Sequence, residues 1–390
     1  MYLELYATAL LELEYKVYFI AELEETFRIS LMTSLPNLIS FDIAVPTKSS
    51  EKWSLEWLLS IIFNKFQRGI QFLRKNSAYA EFDVLTNKLK AMKKAGLKPD
   101  LVMCMYIDMT HLGHKSRKIL KRLHIPWVGL LFHPPVLENN YRFTRNSWFS
   151  DFSNRGAILF TESRIEAYRA VSRHNQSFEV FPDVTRKPNL SIPPPGIDFR
   201  NFANGRHVVG LIGSLDGRKK LIKEFLAVSD DVRLKNYCFV MVGEIYESTL
   251  PTDTLNEIRS RLGVSDNLYI VDRYINSEEV FDSLFSQVDI IFACYRNFDS
   301  SANVLAKSAF FKKPVLVTAE TFIGNLTQQY NLGIAIKDPE VDSIAQSILL
   351  LGKKIERQDS SFGFDDYVSS VSTENLKNRL DHYLKNLWDL

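Results

Sequence analysis

From Asp100 onward the chain alternates short apolar runs with longer stretches in which apolar residues recur at helical spacing. The apolar runs predict strands at Leu101–Ile107, Trp127–Phe132, Ala157–Thr161, Phe178–Phe181, Val208–Ile212, Cys238–Val242, Leu268–Val271, Ile290–Ala293 and Val315–Val317. The stretches between them predict helices, among them Ser116–Leu123, Arg164–His174, Ile222–Val228 and Thr254–Leu262. A strand that is apolar at every position is buried on both faces. With helices between such strands, the expected class is α/β, built on parallel sheets. The opening differs: Leu3–Leu13 reads as a helix running directly into a strand at Val17–Ala21, and 53–94 reads as two long helices. A doubly wound domain normally opens with a strand. The first domain is therefore expected with its first strand missing or atypical, supplied from elsewhere in the chain or lying upstream of the given start.

A length of 390 residues exceeds what one core usually organises, so two domains are expected. The proline-rich stretch PDVTRKPNLSIPPPGIDFRNFANG (182–205) cannot continue a helix or a central strand and reads as the linker. The strand-like HVVGLIG follows it. The expected organisation is a Rossmann-like domain over 1–205 that includes the linker, a second over 206–345, and a C-terminal helical segment, 346–390. Within that segment Leu376, Leu380, Tyr383, Leu384 and Leu387 line one face of a helix over 372–390, too apolar to stay uncovered, so it is expected to return to the first domain.

Composition narrows the class. Hydrophobic residues make up 46% and charged residues 24%, with a formal charge of +2, an ordinary globular balance that gives no sign of a nucleic-acid partner. Cys104, Cys238 and Cys294 each lie in an apolar run, at spacings that fit no metal site; buried, reduced thiols and a cytoplasmic setting are expected. No run is long enough to cross a membrane and no signal peptide is visible. The segment GHKSRKILKRLHIPW (113–127), with five basic residues and no acid, reads either as a solvated helix or as a peripheral contact with the cytoplasmic membrane face.

In α/β domains, ligands bind at the carboxyl ends of the strands, which directs attention to three turns. In GLIGSLDGRKKLIKEF (210–225) a strand ends at Gly213 and a helix is expected to open with Arg218, Lys219 and Lys220. Cations there oppose the helix dipole unless an anion sits between them; the alternative is a solvated basic turn. In DIIFACYRNFDSSANVLAKSAFFKKPVLV, Ser300 and Ser301 cap a helix whose free N–H groups suit phosphate oxygens, and Asp299 suits a sugar hydroxyl; the alternative is a capped turn without a ligand. In IPWVGLLFHPPV, His133 ends an apolar strand ahead of two prolines, placed for acid–base or hydrogen-bonding work or idle in a loop.

In this order the pieces resemble the GT-B glycosyltransferases, and among them the family 4 retaining enzymes, most clearly from about Leu101 to Asp338. VGLLFHPPV is similar to the family strand that ends in a histidine beside the acceptor cleft; ILFTES and PPGIDFRNF are similar to the steps that follow. LIGSLDGRKK is similar to the family's glycine–arginine–lysine loop, with Lys219 in the lysine's place. DSSANVLAKSAFFKKPV aligns, without a gap, with a pattern of two acids around seven residues followed by A-x-G-x-P-V, Asp299 at the first acid and Lys307 at the second. The resemblance implies two Rossmann-like domains facing across a cleft. It also implies transfer of a sugar, with retention, from a UDP- or GDP-linked donor to a glycan or lipid-linked acceptor, as in polysaccharide biosynthesis, with no metal or other cofactor.

Under that resemblance His133 and Asp299 are the catalytic candidates. Gly213, Ser214, Arg218, Lys219, Glu244, Ser300, Ser301, Ala302, Asn303 and Lys307 form the donor-binding set. Three positions depart from the pattern: Ser214 replaces an arginine, Lys307 replaces the glutamate that holds ribose hydroxyls, and Lys312 replaces a glycine. An ammonium donates but cannot accept hydrogen bonds, so Lys307 is expected to turn toward a phosphate or to pair with Asp299 or Glu244. A GT-B pseudoenzyme, or a non-catalytic partner subunit or binding module, is the alternative.

Overall fold

The continuous apolar runs become parallel strands. The computed structural model describes residues 2–15, 18–19, 39–40, 89–97, 99–104, 127–131, 156–161, 178–188, 197–275, 277–296 and 303–388. The chain divides into two compact units, Met1–Pro182 with Leu376–Leu390, and Asp183–Asn375. The described part of the proline-rich stretch thus counts almost wholly with the second unit, as do the helices between residues 341 and 370.

The first unit opens with helix α1 (Tyr2–Glu12), then β1 (Tyr18–Phe19) and β2 (Ile39–Ser40), which pair in parallel. A four-stranded parallel sheet follows, β3 (Val102–Cys104), β4 (Trp127–Leu131), β5 (Gly156–Thr161) and β6 (Phe178–Phe181), ordered as in the sequence. At the end of β6, Phe181 meets Tyr6 of α1 at 6.4 Å between ring centroids, and meets Tyr383 edge-on at 5.9 Å.

The second unit contains α2 (Phe199–Ala203), β7 (His207–Ile212), α3 (Ile222–Ser229), β8 (Tyr237–Gly243), α4 (Thr252–Arg261), β9 (Leu268–Asp272) and α5 (Glu278–Ser286). It continues with β10 (Ile290–Ala293), α6 (Asn303–Phe310), β11 (Val315–Thr318), α7 (Phe322–Gln329), β12 (Gly333–Ile336), α8 (Val341–Glu356) and α9 (Phe364–Ser370). Its sheet is wholly parallel and ordered β12-β11-β10-β7-β8-β9, a doubly wound arrangement with the order reversing at β7. Alternate strand residues serve opposite cores. Val208, Ile212, Val240, Val242 and Ile291 pack with Leu284, Phe285, Leu305 and Ile323 on one face; Val209, Leu211, Phe239, Met241 and Phe292 pack with Phe225, Leu226, Ile344 and Ile348 on the other. Cys238 and Cys294 are free and buried among these residues.

Two local devices fix the frame. Just ahead of β10, the Asp289 carboxylate accepts from Val208 N at 2.8 Å and from both arms of Arg200 at 2.7 and 2.8 Å, tying α2 to the amino end of the sheet. At the opposite end, Gly243 takes φ +147, and a side chain there would begin 2.1 Å from the Gly213 carbonyl oxygen. The final helix, α10 (Thr373–Trp388), belongs from Leu376 onward to the first unit. Its Leu376, Leu380, Tyr383 and Leu384 are buried, and Lys377 reaches Glu12 of α1 at 3.5 Å.

Gly243→Ala is expected to destabilise the protein by on the order of 2–3 kcal/mol, because backbone must move to admit the methyl. Gly263→Ala, at φ +72 in open space, is expected to cost about 1 kcal/mol. Thermal melts of the two variants compare them directly; equal losses would show that the Gly213–Gly243 approach is not a tight constraint.

Candidate functional site

The carboxyl ends of β7, β8 and β9 are laced together. Gly213 N donates to Val242 O at 2.9 Å, Leu215 N donates to Glu244 O at 2.9 Å, and Ile245 N donates to the Asp272 carboxylate at 2.9 Å. Gly213 ends β7 at φ +98, a conformation that favours glycine. Beyond these glycines the turns bring Gly213, Ser214 and Glu244 together, with the side chains of Ser214 and Glu244 exposed.

The basic turn after Gly213 sorts its three cations into three different settings. Asp216 O accepts from Lys219 N at 3.1 Å and from Lys220 N at 2.9 Å, so the turn closes before α3, which begins only at Ile222. The expectation that the cations open the helix is corrected by this: they precede it. Arg218 is exposed, and two nitrogens of its fork hold Asp216 at 3.0 and 2.7 Å; those bonds hold the Asp216 carboxyl down to about 2. Lys219 is exposed, and its carbonyl accepts from Arg296 N at 2.6 Å. Lys220 is buried and its backbone bridges Tyr295 in antiparallel fashion, while its Nζ donates to Ile212 O at 2.8 Å. Burial pushes the Lys220 amine down to about 7. Lys219 and Lys220 therefore lie against the segment that leaves β10 toward Asp299.

On α6, Asn303 is exposed and its Oδ1 accepts from Thr185 Oγ1 at 2.9 Å. Lys307, one turn further, is 3% exposed and faces α5. Among the described residues its ammonium pairs with Asp282 and, at 2.8 Å, with Glu278, and it lies 5.2 Å from the centroid of the Phe281 ring. The partner expected at Glu244 is replaced by these α5 carboxylates, because α6 packs its Lys307 face on α5. Lys312 takes φ +54, the left-handed conformation that explains why glycine suits this position. His133, Asp299, Ser300, Ser301 and Ala302 lie outside the described residues, as does the basic segment 113–127 apart from Trp127.

Sequence reading named Lys220 in the basic run with Arg218 and Lys219 but left it out of the donor-binding set and did not separate it from its exposed neighbours. The signal was present in the Leu221–Ile222 pair directly after it: the chain is already turning into the core there.

No protein-family profile and no curated protein sequence matches the chain. Solved structures do. Anabaena HepE in complex with UDP and glucose aligns with TM-score 0.60 and 12% identity over 98% of this chain and 95% of that one. A glycosyltransferase from Rickettsia africae aligns with TM-score 0.59 and 12% identity over 99% and 93%. The UDP-forming α,α-trehalose-phosphate synthase of Burkholderia xenovorans, solved with glucose-6-phosphate, aligns with TM-score 0.60 and 12% identity over 80% and 78%. The chain has the GT-B glycosyltransferase fold.

Two outcomes follow from the lysine environments. Lys307→Glu places three carboxylates together and is expected to destabilise the protein by roughly 3–5 kcal/mol. Lys307→Met is expected to cost less, as denaturant titration will read. For Lys220 the folded amine binds fewer protons than the unfolded one between about pH 7 and its unfolded value of about 10.4. Its contribution to stability therefore rises with pH across that window, and Lys220→Met is expected to flatten the rise. An unchanged slope in the variant would remove Lys220 as its source.

Proposed function

We propose that this protein binds a nucleotide-sugar at the carboxyl edge of its second sheet and transfers the sugar, with retained anomeric configuration, to a glycan or lipid-linked acceptor. One observation carries the reading. In a GT-B fold, the turn with Gly213, Ser214, Lys219 and Lys220 lies against the strand exit that leads to the Asp299–Asn303 segment. One structural neighbour, Anabaena HepE, is solved with UDP-glucose and with UDP and glucose.

In this proposal the bond between the anomeric carbon and the diphosphate oxygen breaks while the acceptor hydroxyl oxygen bonds to that carbon. The nucleoside diphosphate leaves, and the acceptor proton leaves with it or passes to solvent. Catalysis rests on positioning and on charge stabilisation of the leaving group. Lys219 neutralises the diphosphate as a point charge, and backbone N–H groups at the start of α6 add donors. Asp299 orients the sugar, and His133 contacts the sugar or the acceptor. Neither a metal nor another cofactor is assigned a part. A cytoplasmic setting, with peripheral membrane contact through 113–127, belongs to the same proposal.

A second reading, a binding subunit without transferase activity, is favoured by position 307. The ammonium that replaces the ribose carboxylate is turned away into the α5 carboxylates, and Arg218 is occupied by Asp216. A panel of UDP- and GDP-sugars, read first by thermal stabilisation and then by release of UDP or GDP with an added acceptor, separates the two. A specific donor is expected to raise the melting temperature, and Lys219→Ala to reduce that rise. Stabilisation without nucleotide release would favour the binding subunit; no stabilisation by any donor would remove both readings.

A further inference from the structure

Among the described residues two lysines are buried, Lys220 and Lys307. Their settings differ: Lys307 has two carboxylates, whereas among the described residues Lys220 Nζ bonds the carbonyl of Ile212. The groups around Lys220 are otherwise engaged. On its own turn Asp216 is held by Arg218, and Lys219 is another cation. From the exit of β10, Arg296 turns its guanidinium to Glu224 of α3, and Tyr295 is buried alongside. From α5, Glu278 and Asp282 hold Lys307. No carboxylate among the described residues bonds the Lys220 amine.

One side of that amine is left without a side chain. The point where a Gly213 side chain would begin lies 3.5 Å from Lys220 Nζ and 3.8 Å from the tip of the Phe281 ring. Gly213 itself is only partly buried. A ligand oxygen resting on the bare face of Gly213 therefore lies within reach of the ammonium. Among the described residues one of its three protons goes to Ile212 O, and an ammonium can donate two more.

We propose that Lys220 is a cation against which the donor's diphosphate seats, and that it takes up a proton from solution as that anion binds. The inference rests on the nucleotide-sugar reading and adds a proton to it. Burial holds the amine down to about 7. An anion at hydrogen-bond distance favours the charged form and reverses the effect of burial. Binding and protonation are then linked: each favours the other.

The test is calorimetry of the whole chain with UDP-glucose, whose esterified diphosphate does not titrate near neutrality. Titrations in buffers of low and high ionisation enthalpy give the protons taken up. Because burial holds the amine down to about 7, the uptake is expected to be clearly larger at pH 8 than at pH 6. Lys220→Met is expected to weaken binding at least about ten-fold, the scale of one lost charge-assisted contact, and to abolish the uptake. Lys219→Ala is expected to weaken binding with the uptake preserved. If Lys220→Met does not fold by circular dichroism, Lys220→Arg, charged throughout the range, carries the test: it should bind without uptake. Wild-type binding without uptake at pH 8, or uptake that persists in the Lys220 variants, would overturn the proposal and leave the nucleotide-sugar reading standing. No binding of UDP-glucose, or of GDP-mannose as a second probe, would overturn both.

Discussion

The site depends on two backbones approaching with no side chain between them. Where β7 and β8 end, Gly243 lies against the Gly213 carbonyl at a distance that excludes even a methyl group. That approach lets the hydrogen-bond ladder run one step past the strands, through Gly213 N and Leu215 N, so the two turns leave the sheet at one level. The basic turn is then fixed on both sides, by β8 through Leu215 and by the exit of β10 through Lys219 and Lys220. A doubly wound sheet provides a crevice at its reversal point by topology alone. The glycine pair fixes the level at which the turns after β7 and β8 leave the sheet.

The same region shows two ways to keep a lysine out of water. Burying an ammonium alone is costly, and a protein either supplies counter-charges or lets the group lose its proton. Lys307 takes the first course, with carboxylates from the neighbouring helix. Lys220 takes the second, with one carbonyl and no carboxylate partner among the described residues. The first arrangement joins two helices and is part of the fold. The second leaves a group whose charge depends on what stands next to it. A structural role suits Lys307 and a ligand-linked role suits Lys220, although in the one-dimensional pattern Lys307 is the more conspicuous of the two.

Much of the fold was legible because strands buried on both faces are apolar at every position, a pattern that survives without tertiary context. Strands β7, β8, β10 and β11 lie within a residue of their expected limits. Strand β12 was not read: it begins with a glycine, spans four residues and is only partly buried, so it lacks the continuous apolar signature. The site was legible as a set of turns but not as directions of side chains. Register places position 307 on α6, yet which way it points is decided by Asp282, a buried acid on another helix. Arg218, Lys219 and Lys220 form one uniform run in sequence, and only the fold separates the two exposed cations from the buried one.

The last helix carries a consequence for how the molecule is made. Leu376–Leu390 belongs to the first unit, but the ribosome synthesises it after every residue of the second. During translation the second unit can close its sheet as a contiguous stretch while Tyr6 and Phe181 still wait for Tyr383. Domains generally fold in the order they emerge, first segment first; here the order of completion is reversed. The apolar surface that α10 covers stays open for the whole interval in which residues 183–375 are added. That interval, rather than the finished fold, is where a chaperone has the most to do.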